Sequence, residues 1–254
     1  MKKELNLMIT PAEFPVPLII LPETDSTNNY LTQLCNEQQS AVREFTTVIA
    51  ERQTAGKGQR GNSWESEDCR NITFSFVLYP TFIEARRQFI LSQIVSLSIK
   101  EELDQWTEGI SIKWPNDIYC HGLKLGSTFT QVASPPDRHG DVAVIFSVGV
   151  NLSVPADRLP TPESTSLRMH VAPLPPTAEL IDMIAARLVA SLRTRLEAFV
   201  QMPLIQSSRL RSEMHHVCWM MGRQIDAQLR KGMERQVYLP SGGSIVIDRT
   251  EAMT

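Results

Sequence analysis

The sequence lacks the features that would place it outside the soluble globular class. No apolar run approaches the roughly 20 residues needed to cross a bilayer. Residues 1–15 carry two lysines but no apolar core of the signal-peptide kind. Cysteine is scarce, with four in 254 residues at positions 35, 69, 120 and 218, and none in paired spacing. That pattern argues against a disulfide framework and a structural zinc site, and for a reducing compartment. Charge of one sign is also missing: the net charge is −3, which excludes a dedicated nucleic-acid binder. Repeats and low-complexity tracts are absent. The expectation is a soluble cytoplasmic protein, and 42% apolar content is enough to give one large or two unequal domains a core.

Hydrophobic patterning predicts an α+β body with a mixed sheet and helices on one face. Strands are expected at 16–21, 46–50, 72–79 and 109–114, and a strand–turn–strand at 116–133. The run at 142–152 is apolar on both faces, as a central strand requires. Helices are expected at 25–37, capped by Asp25 or Ser26, at 84–106 and at 180–200. Residues 134–141 form a turn, and a proline-rich connector spans 155–176. From about 222 short strand patterns return around the turn signal PSGGS, suggesting a small β appendage. The expected division is a main domain at 1–200 and a C-terminal region at 201–254.

Three stretches carry chemistry. The first is ERQTAGKGQRGNSWES (51–66), which follows a strand and holds three glycines and two cations between Ala55 and Asn62. Glycines let backbone N–H groups approach an anion, and Lys57 and Arg60 add charge. No Gly-Lys-Ser/Thr ending makes it a Walker loop. No helix follows to make it a dinucleotide-binding turn. A phosphate loop and a mobile surface hairpin both fit. The second is KWPNDIY (113–119), where Lys113, Asn116 and Asp117 surround a Trp-Pro corner. It suits an ion-pair or anion-and-metal site, or a solvated turn. The third is the strand at 146–152. Period-two alternation puts Ser147, Gly149 and Asn151 on one face, leaving room for a ligand whose ring edge Asn151 could read; a packing glycine and a turn Asn fit equally well. With Lys124, three lysines and Arg60 gather at strand ends in a chain of net negative charge. A polyanionic substrate such as a nucleoside triphosphate would explain them.

In order and in spacing, DSTN (25–28), QTAGKGQRGNSW (53–64), KWPND (113–117), Lys124, VGVN (148–151) and TSL (165–167) resemble the biotin protein ligases over roughly residues 16–200. The resemblance implies a class II synthetase-like sheet and a small SH3-like C-terminal barrel. It implies a two-step reaction: biotin and ATP give biotinyl-5′-AMP and pyrophosphate, then biotin passes to a lysine of a biotin carboxyl carrier protein domain of a biotin-dependent carboxylase. By the same resemblance, Ser26, Thr27, Asn28, Gln53, Trp64 and Ser127 hold biotin. Gly56, Lys57, Gly58, Arg60 and Gly61 hold the adenylate, with Asn116 on the nucleotide and Asn151 at the adenine. Lys124 is the main catalytic cation, and Lys113 and Asp117 support ATP and its Mg2+. A monomer or a homodimer paired through a sheet edge is implied. Too few residues precede the first strand for a helix-turn-helix, so no DNA partner is expected, and no membrane.

The match departs in places. Lys57, Gln59 and Asn62 stand where the family often has arginine. Ser127 stands at a usual glycine, Thr128 and Thr130 at apolar positions, and Gln131 at a glutamate. EMHHVCWMMG (213–222) does not fit the barrel, and its His215, His216 and Cys218 read as part of a helix or interface rather than a metal site. The alternatives are a lipoate or octanoate ligase or transferase of the same fold, and a biotin-binding homologue without catalysis.

Overall fold

The computed structural model describes residues 15–38, 42–83, 89–133, 142–202, 206–214 apart from 207 and 211, and two short strands at 236–238 and 244–246. Its centre is a seven-stranded mixed sheet. In chain order the strands are β1 (Leu18–Thr24), β2 (Thr47–Gln53), the short pair β3 (Gly56–Lys57) and β4 (Ser63–Trp64), then β5 (Asn71–Leu78). After them come β6 (Ile110–Lys113), β7 (Asp117–Cys120), β8 (Leu123–Val132) and β9 (Val144–Asn151). The sheet order is β1-β2-β5-β9-β8-β7-β6, with β3 and β4 paired separately. Only β1 and β2 run parallel; every other pair in this sheet is antiparallel.

The helices are α1 (Thr27–Gln38), α2 (Phe89–Leu103) and α3 (Thr177–Gln201). The hydroxyl of Ser26 accepts from the backbone N–H of Asn28 at 3.2 Å, the N-terminal cap that the sequence offers. Residues 84–88, expected to open α2, and the turn at 134–141 lie outside the described residues. So do 215–235, which include His215, His216 and Cys218. Strands β10 (Gln236–Tyr238) and β11 (Ser244–Val246) form an antiparallel pair.

Alternation along β5 and β9 decides what each face of the sheet can do. The register pairs Ile72 with Val150, Phe74 with Val148 and Phe76 with Phe146 on one face. All six are buried. The rings of Phe76 and Phe146 stack with centroids 5.4 Å apart. Helices α2 and α3 close over this face, through Leu91, Ile94 and Val95 and through Leu180, Ile184 and Leu188. The other face pairs Asn71 with Asn151, Thr73 with Gly149 and Ser75 with Ser147. Farther along that face Val77 and Ile145 turn apolar again, and α1 covers them with Leu31 and Cys35. The expectation of helices on one face therefore holds for the two long helices, while α1 lies on the opposite side. Its N-terminus abuts the polar part of that face, and the site forms there.

The large core depends on the phenylalanine pair in the two central strands. Phe146→Ala should lower the free energy of unfolding by about 3–5 kcal/mol, against about 0.5–1.5 kcal/mol for Ile145→Val on the other face; urea denaturation followed by circular dichroism measures both.

Candidate functional site

A cavity of about 480 Å³ opens between the start of α1, the β3–β4 hairpin, the β6–β7 corner and strands β8 and β9. Small-molecule sites commonly span about 300–1,000 Å³. Its floor is a row of linked polar side chains. Gln53 Oε1 accepts from the backbone N–H of Thr27 at 2.8 Å and from its hydroxyl at 3.0 Å. Thr27 Oγ1 lies 2.8 Å from Ser75 Oγ, which lies 2.8 Å from Ser147 Oγ. Asn28 Nδ2 donates to Ser147 at 3.0 Å. The row fixes the Asn28 amide with its oxygen left over: Asn28 Oδ1 is buried with no partner in the protein, as is the indole Nε1 of Trp64. An unmatched buried polar atom costs about 1–3 kcal/mol. One free acceptor and one free donor at the edge of a cavity suit a ligand that carries both an N–H and a carbonyl.

The opposite end is charged. Asp117 Oδ1 receives Lys124 Nζ at 3.0 Å and the Ser127 hydroxyl at 2.8 Å. Asn116 Nδ2 donates to Ser127 Oγ at 2.9 Å and to the carbonyl of Thr128 at 2.7 Å. Lys124 and Ser127 are three apart, so a regular strand would turn them to opposite faces. The register between β7 and β8 shifts instead. Asp117 faces Ser127 and Ile118 faces Gly126, but Tyr119 faces Lys124, which leaves Leu125 as an extra residue. This β-bulge brings Lys124 onto the face of Asp117 and Ser127 while Leu125 is buried in the core. The Lys124 backbone is clamped as well: its N–H donates to Glu163 O at 2.7 Å, and its carbonyl accepts from Thr165 N at 2.8 Å.

The glycine-rich stretch forms a closed hairpin over the cavity. Gly56 pairs with Trp64 and Lys57 with Ser63, around a 3-10 turn at Gln59–Gly61. Gly61 has φ +82°, the left-handed geometry that glycine adopts without strain. Gly149 is fixed by proximity rather than by dihedral. A Cβ there would lie 2.5 Å from Trp64 Cε2 and 2.8 Å from Cζ2, so the indole rests directly on the strand backbone.

The fold brings most of the expected residues together. Ser26, Thr27, Asn28 and Gln53 line one end of the cavity, Lys57, Gly58 and Trp64 the hairpin wall, and Asn116, Asp117, Lys124 and Ser127 the charged end. Gly56 and Gly61 shape the hairpin; the side chain of Arg60 lies outside the described residues. Lys113 and Asn151 do not line the cavity either. Lys113 Nζ sits 3.3 Å from the Tyr119 hydroxyl and 5.5 Å from that ring's centroid. The Asn151 amide is spent inside the protein: its oxygen accepts from Asn71 Nδ2 at 2.8 Å and its nitrogen donates to Thr165 O at 3.0 Å. Asn151 thus braces the segment that clamps Lys124, where the sequence suggested an open ring-reading amide. The sequence reading missed Ser75, which links Thr27 to Ser147, and Trp114, which lines the cavity. Alternation in TFSF (73–76) carried the signal for Ser75.

The Trp64–Gly149 contact predicts a specific lesion. Gly149→Ala should lift the hairpin and raise tryptic cleavage at Lys57 or Arg60 by about tenfold or more, a loss of about 1.4 kcal/mol in closing energy. The thermal midpoint should barely move, because the hairpin lies outside the core. Timed proteolysis with mass spectrometry reads the cleavage, and calorimetry reads the midpoint.

The geometry agrees with comparisons to known proteins. The model of the biotin/lipoate A/B protein ligase family matches residues 20–151, about half of the chain. A second model, of the ribonuclease E/G family, matches residues 190–254, most of which lie outside the described residues. The bifunctional ligase/repressor BirA of Salmonella typhimurium is 29% identical over 187 residues, covering 72% of this chain and 54% of that protein. The biotin–[acetyl-CoA-carboxylase] ligase of Mycobacterium tuberculosis is 28% identical, covering 70% and 64%. Among solved structures, the biotin protein ligase of Aquifex aeolicus in complex with biotin and ATP superposes with a TM-score of 0.60 at 26% identity, covering 73% of this chain and 72% of that one. The chain spans about half the length of the Salmonella typhimurium and Escherichia coli BirA proteins. Among the described residues, no helix is long and apolar enough to cross a membrane. With the matched segment running from β1 to the end of β9 and containing the cavity floor, the hairpin and the charged corner, the chain belongs to the biotin/lipoate A/B protein ligase family.

Proposed function

We propose that this protein is an ATP-dependent biotin protein ligase that forms biotinyl-5′-AMP and transfers biotin to a lysine of a carboxyl carrier domain. The observation that carries this reading is the polarity of the cavity: neutral hydrogen-bonding groups at one end, the Lys124–Asp117 ion pair at the other, with Lys57 on the hairpin wall between. A biotin ureido ring offers N–H groups to Asn28 Oδ1 and a carbonyl to Trp64 Nε1. Its valeryl chain then runs toward Lys124. The dithiolane ring of lipoate has neither group and would leave both atoms unpaired, which favours biotin within the family.

In the first half-reaction the biotin carboxylate oxygen attacks the α-phosphorus of ATP, and the bond to the β-phosphate oxygen breaks to release pyrophosphate. Negative charge builds on the α-phosphate oxygens. Lys124, held by Asp117, is placed to stabilise that charge without being reoriented. Lys57 lines the same cavity and adds a point charge, though not the two-pronged fork of an arginine. Asp117 is the only carboxylate among the lining residues. One carboxylate with substrate phosphates and water is a common Mg2+ donor set, and the ion would supply charge neutralisation there. In the second half-reaction a carrier lysine attacks the mixed anhydride and AMP leaves. The adenylate is already activated, so no protein nucleophile is needed, and the hairpin's task is to keep water away from it. A cytoplasmic location, next to the carboxylase carrier, follows from this reading.

Pyrophosphate release with MgATP tests the proposal. Biotin should support turnover about 10²–10⁴-fold better than lipoate in kcat/KM. Lys124→Ala should cut kcat by about 10²–10³-fold while biotin affinity by calorimetry stays within a few-fold. Lipoate-dependent release without biotin-dependent release would make this a lipoate ligase. Biotin binding without release would make it a biotin-binding protein.

A further inference from the structure

Away from the cavity, three metal-ligating side chains meet at the turn end of the β7–β8 hairpin. Cys120 is the last residue of β7, His121 opens the two-residue turn, and His170 follows the 3-10 turn Leu167–Met169. The thiol sulfur and one nitrogen of each ring all lie within 4.8 Å of one another. The ring centroids are 5.2 Å apart. We propose that Cys120, His121 and His170 form a binding site for a late first-row divalent cation, with Zn2+ as the favoured ion.

The donor set suits that ion. One thiolate and two imidazoles make three soft or borderline ligands, leaving a fourth position for water. Tetrahedral Zn2+, with bonds of about 2.3 Å to sulfur and about 2.0 Å to nitrogen, needs its ligand atoms roughly 3.5 Å apart. From at most 4.8 Å, the ligand atoms have to close by about 1.3 Å at most. His170 is half-buried, and His121 is exposed and gives the ion a way in.

The surroundings hold the rings in place. His170 Nε2 lies 2.7 Å from Thr165 Oγ1, so ligation through Nδ1 would keep this contact. A ligating histidine usually gives its second nitrogen to an oxygen in this way. His121 occupies the left-handed region at φ +48°, and Gly109 sits against it. A Cβ at Gly109 would be 2.7 Å from the His121 ring, so the ring is seated on bare backbone.

The position gives the site a consequence. It would join the β7–β8 turn to the segment at 163–170, whose Glu163 carbonyl and Thr165 N–H bracket the Lys124 backbone. A bound ion therefore stiffens the support of Lys124 without entering the cavity.

The full-length protein, stripped with a chelator, tests the site with Co2+ as the spectroscopic probe and Zn2+ as the competitor. One equivalent of Co2+ should bind with a near-ultraviolet thiolate charge-transfer band, and Zn2+ should abolish the band. Cys120→Ser should remove the band, and His121→Ala and His170→Ala should each weaken Zn2+ binding about tenfold or more. Thr165→Val should weaken it about 10–100-fold, the usual cost of losing such a support. The His215→Ala, His216→Ala double variant should bind as the parent does. Absence of Zn2+ binding at micromolar concentration, a band that survives Cys120→Ser, or loss of binding in the 215/216 variant overturns the proposal. Circular dichroism of each variant separates lost ligation from lost fold. Should Cys120→Ser misfold, the exposed His121 variant decides.

Discussion

One extra residue in β8 sets up the charged end of the site. Lys124 and Leu125 together oppose a single partner on β7, and this shift lets Lys124 and Ser127 share the Asp117 carboxylate. Without it, Lys124 would point into the apolar side now filled by Leu125, and a lysine there would carry a desolvation cost of several kcal/mol. The neighbouring glycine belongs to the same constraint. A Cβ on Gly126 would lie 2.5 Å from the carbonyl of Gly149, so β8 approaches β9 closely just beyond the bulge. Glu163 and Thr165 then hold the displaced strand by its backbone, and Asn151 braces Thr165. A residue that contacts no substrate can in this way be as necessary to the geometry as one that does.

The opposite wall follows from the alternation of β9. Its even positions are apolar and bury against α2 and α3. Its odd positions near the site are Ser147 and Gly149, small enough to admit a ligand and an indole. Trp64 uses the space over Gly149, and that contact couples a loop with few core contacts to the rigid centre of the sheet. Its energy is modest, because one aromatic face on a backbone excludes only a limited apolar area. Modest docking energy suits a hairpin that opens and closes over a cavity.

Most of the fold was legible in the sequence because its strands alternate cleanly and its long helices repeat at three and four. The side on which α1 packs was not legible. It depends on Val77 and Ile145, apolar residues at the far end of strands whose odd positions are otherwise polar. The candidate site was legible where glycines, cations and a Trp-Pro corner stand close together in the chain. It was opaque where geometry is decided by pairing. Strict alternation puts Lys124 on the wrong face, and nothing local in the sequence marks the bulge. Asn151 fits a ligand-facing strand end, but its amide is claimed by Asn71 and Thr165, 80 and 14 residues away. Counting cysteines had the same blind spot. Cys120 has no cysteine near it in sequence, and the residues that meet it are histidines, one brought from a distant segment by the fold.

The departures from the family pattern along β8 make sense as a group rather than singly. Ser127 donates to Asp117 and accepts from Asn116, so its hydroxyl is bound into the wall. Thr130 faces α2, where its hydroxyl lies 3.2 Å from that of Ser92. Gln131 Oε1 is 3.5 Å from Lys57 Nζ, a long contact, and its amide nitrogen is 3.5 Å from Thr32. A glutamate at 131 would hold Lys57 by charge; a neutral amide at that distance leaves the lysine freer to turn. Ser127, Thr130 and Gln131 thus each have a polar neighbour in the fold. The strand that looks degenerate in sequence is largely consistent with its neighbours in three dimensions.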